Sequence, residues 1–228
     1  MKKLDFYEFT GIVAPGAVAV YGLSRIHPEV GLLLKDQSIT VGELGLLLIL
    51  AYVAGHIIQS FGNLLEKGWW FFFGGMPSDW PRTGKRQLLA ASQMQVLPSR
   101  IRSVLKLECS ERLSDLSKND WFAITRQIYS TVRLVDRTDR IDVFNGNYGM
   151  FRGIAASLLL LLAVAIIDTQ VHDARVYAVL GITALLAFFR MHRFGVQYAR
   201  ELFVQFLSIK SADSPEVKKE SNERDNVS

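Results

Sequence analysis

Tyr52, His56, Gln59, Asn63 and Glu66 recur at spacings of four, three, four and three residues. At about 100° per residue that places them on one stripe of a helix. Ionisable and amide side chains are costly in hydrocarbon, so a stripe of them in an apolar segment joins helices by hydrogen bonds, lines a water-filled path or holds a substrate. The spacing leaves all three open. A seven-residue polar period also suits identical helices wound around a common axis, which makes these five residues pore-lining candidates. Gly55 and Gly62 flank the stripe, where small residues let helices approach closely.

A second group is basic. Arg126, Arg133, Arg137 and Arg140 fall on one side of a helix expected over about Asp120 to Val143, opposite an apolar face of Trp121, Ile124, Ile128, Val132 and Val135. Such a stripe is either a solvated face or an anion-binding one, since guanidinium groups give phosphates bidentate hydrogen bonds. Asp136, Asp139 and Asp142 are spaced somewhat like the aspartates of membrane phosphotransferases that join alcohols to CDP-linked lipids. The D-G-x-x-A-R sequence of those enzymes is absent, and the adjacent arginines compete for the carboxylates, so ion pairs of Asp136 with Arg133 and Arg140 are expected instead of a metal. No H-E-x-x-H, G-x-x-x-x-G-K-[ST] or G-x-S-x-G occurs, and Cys109 has no nearby Cys or His partner for zinc. No catalytic residue, metal or cofactor is expected.

The elements that must carry these residues are membrane spans. Val41 to Leu65 is apolar for longer than the roughly 20 residues a bilayer needs, and it leads into the aromatic run Trp69 to Phe73, of the kind found at membrane interfaces. A first span from about Phe6 to Leu23 contains Pro15, which should kink it. Ile154 to Ile167 forms a third, preceded by Tyr148, Phe151 and Arg152, and Val176 to Phe189 a fourth, antiparallel to it and continuing as a helix through Leu207. Between the second and third spans, helices are expected over Gln87 to Leu97, stopped before Pro98, and from Ser99 to Leu107. The expected fold class is therefore all-α, a four-span helical membrane protein with a helical cytoplasmic region. Residues 1–73 hold spans one and two, 74–147 the cytoplasmic helices, 148–210 spans three and four with their extension, and 211–228 a disordered tail.

With 228 residues and 21% of them charged, and a mean hydropathy of +0.19, the chain is neither a simple globular protein nor fully embedded. Lys2, Lys3, the arginines from Arg82 to Arg140, and Arg190, Arg193 and Arg200 would all be cytoplasmic with both termini inside. The net charge of +4 therefore reflects topology as readily as nucleic-acid binding.

In layout, four spans around a central cytoplasmic region, the chain resembles the small multi-spanning membrane effectors of bacterial anti-phage defence systems, of which the Hailong channel is one. The resemblance implies a homo-oligomeric ion channel in the bacterial inner membrane, controlled by a nucleotide or oligonucleotide. The alternatives are a non-catalytic scaffold binding a cytoplasmic protein partner and a membrane enzyme acting on lipid.

Overall fold

The computed structural model describes residues 6–27, 40–168 and 173–209. Among them every regular element is helical: α1 (Phe6–Ile26), α2 (Val41–Phe72), a 3-10 turn (Pro77–Asp79), α3 (Trp80–Thr83), α4 (Ala91–Leu105), a second 3-10 turn (Leu113–Asp115), α5 (Lys118–Leu134), α6 (Asp139–Ile167) and α7 (Ala174–Ser208). Helices α1, α2, α6 and α7 are long and apolar enough to cross a membrane. Lys2 and Lys3, most of the connection from Ser24 to Thr40, and the tail 211–228 lie outside the described residues.

Two helix boundaries differ from those expected. Pro98 does not end a helix but sits inside α4, although its ring removes one backbone hydrogen bond at a cost of roughly 3 kcal/mol. Leu97, Pro98, Ile101 and Val104 are all buried on one face, and that packing offsets the loss. The helix expected over Asp120 to Val143 is broken. α5 stops at Leu134, and Asp136 adopts the left-handed conformation at φ 57°. The Asp136 N–H donates to the Arg133 carbonyl and the Arg137 N–H to the Val132 carbonyl, the two bonds of a Schellman cap. α6 then begins at Asp139, well before the third span expected at Ile154 to Ile167, and runs unbroken through it.

The chain folds as two compact units. The described residues up to Trp69 and those between Asn145 and Phe194 form an apolar unit; Trp70–Phe144 and the described residues from Gly195 onward form a polar one.

In the apolar unit, α1 and α2 meet backbone to backbone. A Cβ on Gly16 would lie 1.7 Å from the Ala51 carbonyl oxygen, and one on Gly55 2.0 Å from that of Ile12, so only glycine permits this approach at either position. Leu46, Ile49, Val53, Ile57 and Leu64 remain exposed on the outer side of α2, as suits lipid. Trp69 fastens α2 to α7: its indole N–H donates to His192 Nδ1 at 3.2 Å and its ring stacks on Phe188 at 5.0 Å. The aromatic run expected at an interface is thus divided. Trp69 and, in the polar unit, Trp70 pack inward, whereas Phe71 and Phe72 are each 81% exposed.

The polar unit is built on the expected amphipathic face. Trp121, Ile124, Ile128 and Val132 are buried, and Val135 falls just past the end of α5. The Ser117 hydroxyl caps α5 by accepting from the Asp120 N–H at 3.2 Å, worth about 1 kcal/mol. Trp121 stacks on Phe203 at 5.8 Å and donates its N–H to the Ser78 carbonyl at 2.8 Å. Leu202 and Phe206, on the same end of α7, complete this core. Tyr129 donates to Asp142 at 2.8 Å. Burial first, and the Asp142 carboxylate second, push its phenol up to about 12.

Candidate functional site

The centre of the apolar unit follows from one proline. Pro15 has no N–H to give the carbonyl of Gly11, four residues back on α1, so that oxygen needs another donor. Gln59 on α2 supplies it. Its Nε2 lies 2.7 Å from the Gly11 oxygen and 3.0 Å from the Gly149 oxygen on α6. The other end of the same amide faces Arg152 on α6, with Oε1 accepting from Nη2 at 2.9 Å and Nε at 3.3 Å. Arg152 Nη1 also donates to Glu66, one full stripe period along α2 from Gln59. The guanidinium lies 5.9 Å from the Tyr148 ring centre, adding a cation–π contact.

The arrangement is closed. Gln59 uses both donors and both acceptor directions, and Arg152 and Glu66 keep only 19% and 15% of their side chains exposed. One turn away, Ser157 is fully buried with its hydroxyl 2.8 Å from the Pro15 carbonyl and 3.1 Å from that of Gly153. Gly153 must be glycine here, since a Cβ would come within 2.5 Å of the Pro15 ring and 2.7 Å of Gln59 Nε2. Gly62 lets the Arg152 stem pass, its Cβ position lying 3.3 Å from Arg152 Cγ. The network is a clamp joining α1, α2 and α6, with each charge paired and the Ser157 hydroxyl committed to backbone carbonyls.

Only part of the expected stripe belongs to this clamp. Gln59 and Glu66 are taken inside, beside the buried face of Ala51, Gly55, Ile58 and Gly62. His56 and Asn63, turned about 40–60° further round the helix from Gln59, are exposed, as is Tyr52. The Tyr52 and His56 rings meet edge to face at 4.7 Å. The Ser60 hydroxyl is spent on the His56 carbonyl at 3.1 Å. A polar edge of three residues therefore lies open along an otherwise apolar span.

The four arginines do not form one stripe, because the cap at Asp136 separates them. Arg126 and Arg133 are exposed on α5, Arg126 beside the Phe122 ring. Arg137, in the break, donates to the Ser208 hydroxyl at 3.1 Å and carbonyl at 3.4 Å. Arg140, in the first turn of α6, reaches Glu201 at 4.0 Å and lies over Phe144. The ion pairs expected from Asp136 to Arg133 and Arg140 are replaced: the left-handed residue leaves helical spacing, and Arg140 turns to Glu201. Cys109 is buried, its thiol pushed up by that burial. Among the described residues no three His, Cys, Asp or Glu side chains gather closely enough to hold a metal ion.

Arg152 and Pro15 are expected on the spans but not as parts of a site, and nothing in the spacing singles out Ser157. The signal was present in part: a lone arginine close before the third span, and two polar residues seven apart on the second. No protein-family model, no curated protein and no solved structure matches the chain.

Proposed function

We propose that the protein is a homo-oligomeric ion channel or pore-forming effector of a bacterial inner membrane, with Tyr52, His56 and Asn63 lining its water-filled path. The observation that carries this reading is the division of the α2 stripe, in which Gln59 and Glu66 are satisfied within the chain while His56 and Asn63 stay exposed on an apolar span. An amide or imidazole left against hydrocarbon costs on the order of a few kcal/mol. Copies of the chain that turn these edges toward a common axis give them water and one another instead. Gln59 and Glu66, on this reading, hold the wall and do not line it.

Both termini lie on the cytoplasmic side in this proposal, together with the basic polar unit. Control by a nucleotide or oligonucleotide draws on Arg126 and Arg133, the two arginines exposed on one helix a stripe period apart. The test is ion flux through purified protein in liposomes. His56→Leu and Asn63→Leu should insert and assemble normally yet change the flux several-fold. Flux absent from the unaltered protein, with self-association retained, would favour the scaffold that binds a cytoplasmic partner.

A further inference from the structure

We infer that a groove in the polar unit, formed by α3, α4 and the Leu113–Asp115 turn, binds a phosphate-bearing ligand. The groove has a volume of about 300 Å³ and carries Arg82 and Arg112 on its wall beside Met94 and Pro98. That is enough for a phosphate group with a small apolar portion attached. The inference stands whether or not the protein conducts ions.

The donors are specific. Arg82 gives Nη1 to the Leu116 carbonyl at 3.3 Å, but its Nε–H is shielded from solvent and has no partner. Arg82 nevertheless lines the groove, and a phosphate oxygen is the acceptor that satisfies a guanidinium best. The Arg112 side chain is exposed and forms no ion pair among the described residues, while its backbone is pinned by donation to the Ser110 hydroxyl at 3.2 Å. The hydroxyls on the wall are already committed, Thr83 to the Asp79 carbonyl and Ser114 to Asp115. Glu111 is the one carboxylate lining the groove, and Arg102 stands 3.6 Å from it, offsetting its charge. Two guanidinium groups are thus left to receive an anion, above an apolar floor for whatever the phosphate is attached to.

The segment that holds Arg82 is built to stay in place. The Trp80 indole donates to the Gly75 carbonyl at 3.0 Å, and Gly84 turns the chain at φ 64° directly after α3. Gly84 itself lines the groove, and only glycine adopts that turn without strain.

The shared chemistry has two sources, a free phosphate ester and a phospholipid headgroup. The full-length protein in detergent micelles is titrated calorimetrically with inorganic phosphate and with ATP. The same protein in nanodiscs of phosphatidylcholine is compared with nanodiscs containing phosphatidylglycerol. Saturable binding is expected in one arm, weakened about tenfold in R82Q and in R112Q. Saturation by a soluble ligand identifies a free ester, and saturation by the anionic lipid alone identifies a headgroup. Absence of saturable binding in both arms would overturn the inference. So would R112Q binding as tightly as the unaltered protein, a variant whose exposed side chain leaves folding undisturbed.

Discussion

Arg152 in the apolar unit gives its guanidinium to Glu66, Gln59 and the face of Tyr148, whereas Arg140 in the polar unit reaches Glu201 only at 4.0 Å and keeps 72% of its side chain exposed. The same group is held in two different ways because its surroundings differ. Where helices are apolar enough to span a membrane, water does not solvate an unpaired charge, so every N–H that turns inward must find a partner in the chain. Where water is at hand, a long ion pair contributes little, on the order of 0–1 kcal/mol. The comparison teaches that the polar residues of α2 are not equivalent. Those that meet Arg152 hold the unit together, and those that miss it stay exposed.

The largest effect should come from breaking the clamp on one side. Glu66→Leu leaves Arg152 unpaired and should cost about 3–5 kcal/mol, read as a large loss of thermal stability in detergent or of folded protein altogether. Adding Arg152→Leu to it should restore part of that loss, since an uncharged pair no longer needs compensation. A double substitution no better than Glu66→Leu alone would show that the pair is not what that change disrupts.

Gln59→Leu should come next. It strands the Gly11 carbonyl that Pro15 leaves free, at about 1–3 kcal/mol. Gly11 is the discriminating partner: restoring its backbone donor with Pro15→Ala should reduce the cost of Gln59→Leu, measured by the same melting experiment. Independent, additive effects would contradict the coupling.

This coupling also marks what was legible in the sequence. The four spans and the buried face of α5 follow from periodicity over many residues, a signal that single exceptions do not erase. Arg152 was not legible as a clamp because its partners are 86 and 93 positions away, and no local spacing encodes a contact across helices. The stripe was legible as a set on one helix, but its division was not. That depends on where α1 and α6 approach α2, which Gly16 and Gly55 decide through backbone contact and Gly153 through contact with the Pro15 ring and the Gln59 amide. The break after α5 escaped notice because Asp136, not glycine, occupies the left-handed position, and Pro98 misled because its neighbours' burial outweighs its usual effect.

In the polar unit the expected effects are smaller. Asp136→Gly removes the strain of a side chain at φ 57° and should raise stability by about 0.5–1 kcal/mol, seen as a rise in the melting temperature. A fall would mean that the Asp136 carboxylate holds the cap in some other way. The smallest effect concerns pH. Tyr129, with an ordinary phenol near 10, is raised to about 12 when folded. Its neutral form is therefore favoured in the folded protein. The contribution is complete below pH 10 and is lost as the pH rises from there toward 12. Tyr129→Phe should flatten the alkaline limb of a stability–pH curve.

The central claim is that His56 and Asn63 face water in the assembled protein while Gln59 does not. It is tested most directly by placing single cysteines at 56, 59 and 63 in a Cys109→Ser background and treating the reconstituted protein with a charged, membrane-impermeant thiol reagent while ion flux is recorded. Modification at positions 56 and 63 is expected to proceed and to reduce flux several-fold, with position 59 modified far more slowly. Flux unaffected by complete modification at 56 and 63, or equal reactivity at 59, would contradict the account.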